Sequence, residues 1–192
     1  MGESERRRLA VLAGHQGDEA AARSLLADPE PTVRAAALGA LARMARATPG
    51  DVTQALSDRD PAVRRRACEA AVRGAVDVDL RYVLDDPDPA VVEAAAWALG
   101  EKEEGTVELA RVATEHSDPL CREAAVAALG AIGDPLGLPA ILAATHDRPA
   151  IRRRAVIALA AFEGPEVDEA LARAAGDRDW QVRQAAEDLS DG

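Results

Sequence analysis

Cysteine and aromatic residues are scarce in this chain. Its 192 residues include two cysteines, Cys68 and Cys121, and neither belongs to a C-x-x-C pair of the kind that structural zinc sites use. This scarcity argues against a disulfide-stabilised scaffold. Because only two tryptophans, one tyrosine and one phenylalanine are present, the apolar part of the sequence consists mainly of alanine and other aliphatic residues, which lets helices approach closely.

Long apolar runs are also missing. No stretch approaches the roughly 18 to 20 apolar residues that cross a bilayer. The first ten residues, MGESERRRLA, lack the apolar region and the small-residue cleavage site of a secretory signal. We therefore expect a cytoplasmic protein without a membrane partner.

Motifs for common catalytic chemistry are absent from the sequence. It contains no G-x-x-x-x-G-K phosphate loop and no G-x-S-x-G nucleophile elbow. We predict no catalytic residue, no cofactor and no bound metal, and hence a protein that is not an enzyme. The net charge of −11, from 34 acidic and 23 basic residues, argues against nucleic-acid binding, since phosphate groups need a positive surface.

The chain does contain a tandem repeat of about 30 residues, recognisable as a D-P-x-V-R segment. The proline of this segment recurs at spacings of 30, 28, 30 and 30 residues, and Trp180 takes its place 31 residues after the last proline. These prolines are Pro31, Pro61, Pro89, Pro119 and Pro149. Alanine stands six residues after each of the six positions, at Ala37, Ala67, Ala95, Ala125, Ala155 and Ala186. We predict one repeat domain covering residues 1–192.

Each repeat segment predicts an amphipathic helix of about 12 to 14 residues, because apolar residues follow the proline with a 3.6-residue period. We call this helix the capped helix, since an aspartate N-cap precedes it in four repeats: Asp60, Asp88, Asp118 and Asp179. Glu30 and Arg148 hold the cap position in two other repeats. We expect those two helix starts to be looser.

A second, shorter amphipathic segment lies between successive capped helices, so each repeat is predicted to be a helical hairpin. The first capped-type helix, at roughly residues 4–13, has no earlier partner and forms a half repeat. Stacked hairpins share one continuous core, and Glu187 predicts a polar end to it. The predicted fold is therefore an all-α solenoid of about six hairpins with an N-terminal half repeat.

Segments such as DPEPTVRAAALGAL and SDPLCREAAVAALGAIGD resemble HEAT repeats, specifically the short phycobiliprotein-lyase HEAT-like type, over nearly the whole chain. The resemblance implies a right-handed armadillo/HEAT-like superhelix. It also implies a polar ladder of aspartates, each paired with an arginine six residues later. The pairs are Asp28 with Arg34, Asp58 with Arg64 and Asp177 with Arg183, while Asp86 meets Val92, and His116 and His146 replace aspartate before Arg122 and Arg152.

A related family, the deoxyhypusine hydroxylases, binds a di-iron centre with His-Glu dipeptides on HEAT repeats. This chain has only Glu115-His116, in the reverse order, so the resemblance does not extend to that activity. Cys68 and Cys121 fall at predicted core positions of capped helices that are two repeats apart. A disulfide needs Cα atoms within about 7 Å, so we expect these two residues to be too far apart to form one. We expect both to be small buried hydrophobic residues.

The candidate binding surface consists of the columns opposite the core stripe of the capped helix. The resemblance implies that this helix lines the concave face of the superhelix. Large apolar side chains beside arginine are typical of interface hot spots. The candidate partner-binding residues are Arg65, Arg66, Glu93, Trp97, Leu120, Glu123, Arg153, Arg154 and Ile157. The alternative is a solvated face, on which the arginines form salt bridges with Glu69, Glu93 and Glu123, and Trp97 covers a neighbouring repeat.

We interpret the chain as a monomeric interaction scaffold or adaptor, which binds a protein or peptide with apolar and acidic groups in the concave groove. Two alternatives stay open. One is a chaperone-like bilin lyase subunit acting on a tetrapyrrole and its acceptor protein, which the resemblance permits at the level of the repeats. The other is a nucleic-acid-binding HEAT-like protein, which the acidic net charge opposes and the two arginine pairs favour.

Overall fold

The computed structural model describes residues 1–190. Within them the chain forms twelve α-helices and no β-strand, and none of these helices is long and apolar enough to cross a membrane. The α-helices are α1 Glu3–Gln16, α2 Glu19–Ser24, α3 Pro31–Arg43, α4 Pro49–Leu56, α5 Pro61–Arg73, α6 Pro89–Lys102, α7 Thr106–Glu115, α8 Pro119–Ile132, α9 Leu138–Ala144, α10 Pro149–Ala158, α11 Pro165–Ala174 and α12 Trp180–Ser190. Short 3-10 helices lie at Arg81–Asp85, Pro135–Gly137 and Leu159–Ala161.

The helices form two compact units, an N-terminal unit of Met1–Ala98 and a C-terminal unit that begins at Leu99. In the N-terminal unit α3 packs against both α1 and α5, while α2 and α4 pack on the capped helices that follow them. In the C-terminal unit α10 packs against both α8 and α12, and α7, α9 and α11 are their hairpin partners. Each unit is thus a stack of helical hairpins of the α-solenoid type, and α1 is the predicted half repeat.

The apolar residues that recur at fixed positions of the repeat form the core of both units, as predicted. The six alanines of the repeat are at most 1% exposed: Ala37, Ala67, Ala95, Ala125, Ala155 and Ala186. The leucines four residues further on are equally buried: Leu41, Leu99, Leu129 and Leu159. Because one face of each capped helix is filled in this way, its opposite face is left for other contacts.

Aspartate caps four of the capped helices as the sequence predicts. In each case the carboxylate accepts a hydrogen bond of 2.8–2.9 Å from the backbone N–H two residues later: Asp60, Asp88, Asp118 and Asp179. Neither Glu30 nor Arg148 makes a side-chain cap hydrogen bond. The difference confirms weaker capping at α3 and α10.

Shortening the side chain at position 30 is expected to supply the missing cap. The backbone of Glu30 (φ −87°, ψ 125°) is close to that of Asp60 (φ −98°, ψ 124°), so Glu30→Asp should raise the free energy of unfolding by about 0.5–1 kcal/mol. Urea unfolding followed by circular dichroism measures the change. The reverse substitution, Asp60→Glu, should lower the same quantity by a similar amount, and a gain in both variants would contradict the capping argument.

The third hairpin differs from the others in its first member, which is the 3-10 helix Arg81–Asp85 instead of an α-helix. Asp79 accepts hydrogen bonds from both the backbone N–H and the side-chain Nε of Arg81. Aspartate that bonds to nearby backbone in this way competes with helix formation. The segment still fills the core through four buried aliphatic residues: Val76, Leu80, Val83 and Leu84.

The polar ladder is present, but its carboxylate partners differ from the predicted ones. Arg34 donates through Nη1 to the backbone carbonyl of Asp28 at 2.8 Å. Its guanidinium also donates two hydrogen bonds, at 2.8 and 2.7 Å, to the carboxylate of Asp58 in the next repeat. The predicted carboxylate pairings of Asp28 with Arg34 and of Asp58 with Arg64 are therefore wrong, because each arginine binds the next aspartate instead. Arg183, in the last repeat, donates to the backbone carbonyl of Asp177.

The same two-bond geometry recurs along each unit at 2.7–3.1 Å. The pairs are Arg6–Asp28, Arg34–Asp58 and Arg64–Asp86 in the N-terminal unit, and Arg122–Asp147 and Arg152–Asp177 in the C-terminal unit. Each rung ties the capped helix of one repeat to the turn that opens the next capped helix. Bidentate hydrogen bonds from a guanidinium to a carboxylate combine opposite charge with fixed geometry.

The two ladder histidines behave differently from each other. His116 replaces aspartate as predicted, since the backbone N–H of Asp118 donates to its Nδ1 at 3.1 Å. His146 does not take the ladder position. Asp147, one residue later, holds that position and binds Arg122. The prediction for His146 is wrong because the turn before α10 is shifted by one residue, so that Arg152 donates to a carbonyl five residues earlier instead of six.

Candidate functional site

All nine candidate residues lie on the predicted face of the capped helices, and none is buried. Four belong to the N-terminal unit and five to the C-terminal unit. The exposed ones are Arg65, Trp97, Leu120 and Ile157, and the half-buried ones are Arg66, Glu93, Glu123, Arg153 and Arg154.

In the N-terminal unit, Arg65 and Arg66 line a groove of about 380 Å³ together with Arg7 and Arg43. These four arginines come from α1, α3 and α5. The rest of the lining consists of small or apolar residues and one threonine: Val11, Thr32, Ala35, Ala36, Gly39 and Ala62. We call this surface the arginine groove. None of its ten lining residues is acidic.

Glu69 accounts for part of the charge in the arginine groove. Its carboxylate forms a close ion pair with Arg66 and a looser one, at 3.9 Å, with Arg65, so the salt-bridge alternative holds for these two residues in part. Among residues 1–190, Arg7 and Arg43 have no carboxylate at ion-pair distance. The positive charge of the groove therefore exceeds the negative charge that reaches it.

Glu93 and Trp97 lie outside the lining of the arginine groove, one helical turn apart on α6. The side chain of Trp97 is 40% exposed. A tryptophan exposed to this extent in an alanine-rich helix leaves apolar surface in water. Trp97 therefore remains a candidate contact residue.

In the C-terminal unit, Arg153 and Ile157 of α10 face Trp180 and Leu189 of α12 across a cleft of about 550 Å³. Ile157 is 42% exposed and Trp180 is 64% exposed. Gln181, Gln184, Ala185 and Asp188 complete the lining. We call this surface the Ile157–Trp180 cleft. Its lining combines apolar side chains with charged and amide side chains.

A second depression, of about 410 Å³, lies on the other side of Ile157 and includes Arg154 with small residues of α8 and α10. Arg154 approaches Glu123 at 3.7 Å, which again fits the salt-bridge alternative in part. Its Nε is buried and has no hydrogen-bond partner within the described chain. Leu120, 56% exposed on α8, is outside the lining of both depressions.

Three residues of these surfaces are not among the nine predicted ones: Arg7, Arg43 and Trp180. Arg7 stands one residue after the ladder arginine Arg6, as Arg65 does after Arg64, so extending the repeat columns into α1 would have found it. Arg43 stands twelve residues after Pro31 and is exposed near the end of α3, so the helical period was the signal for it. Trp180 takes the place of the helix-starting proline, and its size was the signal for it.

The two cysteines and the possible metal-binding side chains form no reactive site among the described residues. Burial raises the pKa of the Cys68 thiol to about 12, which removes thiolate reactivity at neutral pH. Cys121 is also fully buried, as expected for a core column. Within the described residues there is no group of three or more histidine, cysteine, aspartate or glutamate side chains placed to hold a metal ion.

Comparison of the sequence with known families gives matches to HEAT repeats. The HEAT repeats profile matches residues 51–108, 78–149 and 115–189, and a single HEAT repeat profile matches residues 21–47. These matches identify HEAT repeats, and the phycobiliprotein-lyase type stays a prediction. No curated protein sequence matches the chain.

Several solved structures share the fold at low sequence identity. Human deoxyhypusine hydroxylase in complex with glycerol gives a TM-score of 0.52 at 22% identity, over 97% of this chain and 78% of that chain. A designed armadillo repeat protein in complex with the peptide (KR)4 gives 0.54 at 16% identity, over 98% and 90%. Another designed armadillo repeat protein gives 0.50 at 15% identity, over 97% and 90%. At these identities the likeness concerns the fold alone.

Proposed function

The chain belongs to the HEAT-repeat family, and on that premise we propose that it is a non-enzymatic interaction scaffold for a protein segment with apolar and acidic groups. The observation that carries the proposal is the Ile157–Trp180 cleft. Two large apolar side chains there, Ile157 and Trp180, are 42% and 64% exposed, and Arg153 lines the same cleft. Binding a partner would remove that apolar surface from water.

The positive charge of Arg153 in the cleft lining indicates that the partner carries an acidic group. Arg153 lines the cleft, and within residues 1–190 no carboxylate approaches it at ion-pair distance. A partner carboxylate can therefore form a two-bond pair with its guanidinium without breaking an existing one. Because Asp188 also lines the cleft, we place the acidic group of the partner on the Arg153 side.

The designed armadillo repeat protein that shares this fold is bound to the peptide (KR)4, a chain of basic residues. That complex supports the idea that a helical-repeat fold of this kind can hold a peptide. The arginine groove and the Ile157–Trp180 cleft of the present chain are lined by arginine and by small or apolar residues, with Asp188 as an acidic residue of the cleft. We infer the opposite charge preference for its partner.

Selection from a random peptide display library tests this function. The wild-type chain is expected to enrich peptides that combine an aromatic or aliphatic residue with Asp or Glu. For a synthesised enriched peptide, Trp180→Ala and Ile157→Ala should each raise the dissociation constant about tenfold. Interface anchors of this size contribute about 1–2 kcal/mol or more to the binding free energy. Titration calorimetry measures the constants.

Matched variants separate a cleft effect from a general one. Leu136 is 69% exposed in the same unit and outside the cleft, so Leu136→Ala should leave the affinity unchanged. Arg153→Glu should turn the selection away from acidic peptides. The proposal fails if no peptide family is enriched, or if the Leu136 and Trp180 variants bind the enriched peptide equally well.

A further inference from the structure

The arginine groove is a positive surface in a protein of net charge −11. Four guanidinium groups line about 380 Å³, and no acidic residue is part of the lining. Glu69 pairs with Arg65 and Arg66 from outside that lining. Since like charges gathered in one groove repel each other, an anionic occupant would relieve an unfavourable interaction that the folded chain contains.

Four of the ten residues that line the groove are small: Ala35, Ala36, Gly39 and Ala62. At Gly39 a side-chain carbon would stand 3.5 Å from Cδ of Arg66. A lining with few large apolar side chains lets an extended backbone lie close to it. The guanidinium groups of the same lining can then donate to carboxylates of the segment.

The arginines come from three consecutive capped helices, α1, α3 and α5, and this fixes a spacing. Packed helices lie about 8–10 Å apart. A peptide in the extended polyproline II conformation advances about 3.1 Å per residue with three residues per turn, so residues three apart lie on the same side of the peptide and are separated by about 9 Å. Carboxylates at every third position of an extended segment would therefore meet successive helices of the groove.

We propose that the arginine groove of the N-terminal unit binds an extended acidic segment of a protein, with Asp or Glu about three residues apart. The inference rests on the proposed scaffold function and adds a second, electrostatic subsite with a defined register. A nucleic acid is the weaker occupant for a chain of net charge −11, because every nucleotide carries a charged phosphate and some phosphates would meet Glu3 and Glu69 beside the groove. An acidic segment can carry uncharged residues at those points.

Fluorescence anisotropy with a labelled 13-residue peptide tests the inference. The peptide carries Glu at every third position and Ser or Gly elsewhere, so it has no apolar group for the Ile157–Trp180 cleft. Wild-type protein should bind it, with affinity falling steeply between 50 and 300 mM salt. The double variant Arg7→Gln, Arg43→Gln should bind about tenfold more weakly. Because these two arginines have no carboxylate partner in the described chain, the variant breaks no internal ion pair.

Three controls make the result specific. Arg59→Gln removes an exposed arginine outside the groove and should leave binding unchanged. A peptide of the same composition with its glutamates adjacent at one end should bind more weakly than the spaced one. A labelled single-stranded oligonucleotide of 12 nucleotides should bind more weakly than either peptide.

The inference is overturned if the spaced peptide does not bind, if it binds the Arg7 and Arg43 variant as well as wild type, or if the oligonucleotide binds more tightly. Equal affinity for the spaced and clustered peptides would overturn the register. These results are independent of the apolar peptides selected with the Ile157–Trp180 cleft. Failure of the scaffold proposal would appear in that selection, and failure of the acidic subsite would appear only here.

Discussion

Arg34→Ala is expected to lower the free energy of unfolding by about 3 kcal/mol. Arg34 is only 9% exposed, and it donates to both carboxylate oxygens of Asp58 and to the carbonyls of Asp28 and Pro29. The substitution leaves a partly buried carboxylate and two carbonyls without these donors. Removing one partner of such a pair costs more than an exposed salt bridge is worth, which is about 0–1 kcal/mol.

Urea unfolding at pH 7 measures this loss, and Arg59→Ala is its matched control. Arg59 is exposed and makes a single long hydrogen bond of 3.4 Å to the carbonyl of Pro29. Its removal should change the free energy of unfolding by no more than about 0.5 kcal/mol. Equal losses in the two variants would mean that the ladder arginine acts only as a surface cation.

The Arg34–Asp58 pair also predicts how the loss depends on pH. Hydrogen bonds from Arg34 lower the pKa of the Asp58 carboxyl below its ordinary value. A group whose pKa is lowered in the folded state stabilises fully above its unfolded pKa, about 4 for aspartate, and the effect disappears as the pH falls through the folded pKa. The difference between wild type and Arg34→Ala should therefore shrink below about pH 4. A constant difference would contradict an ion pair.

The sequence predicted the helices and the core well because those signals are local. The proline, the aspartate cap and the alanine six residues later all act within one helix, as Pro61, Asp60 and Ala67 show. The ladder partners depend on stacking between repeats. Arg34 lies within reach of both Asp28 and Asp58 in the pattern, and only the packing of one hairpin on the next decides which carboxylate it binds.

The candidate surfaces follow the same rule. The exposed columns of single helices could be read from the helical period, and they gave Arg65, Arg153 and Ile157. A groove or cleft forms only where several helices meet, so the contributions of Arg43 and Trp180 depend on packing. The third hairpin shows the reverse limit, since local aspartate bonding at Asp79 replaced an α-helix that the repeat pattern predicted.

A seam of glycine and alanine explains how closely the capped helices pack. A side-chain carbon added at Gly130 would lie 2.6 Å from Cβ and 2.8 Å from Cα of Ala158. In the N-terminal unit the same carbon at Gly14 would lie 2.9 Å from Cα of Ala40. Contacts this short do not occur between real atoms, so glycine at these two positions is required by the neighbouring backbone, not by the turn conformation.

Gly130→Ala is therefore expected to lower the free energy of unfolding by about 2 kcal/mol, although alanine is the better helix former by about 1 kcal/mol. The added methyl group pushes α8 away from Ala158 of α10, and overpacking of this kind costs about 1–3 kcal/mol or somewhat more. Gly39→Ala is the matched control on α3, because its nearest neighbour is the flexible Cδ of Arg66 at 3.5 Å. That variant should gain about 0.5–1 kcal/mol. Thermal and urea unfolding measure both changes, and the free energy of unfolding should fall in Gly130→Ala and rise in Gly39→Ala. A rise in both variants would mean that the helices can separate at the seam without loss of stability.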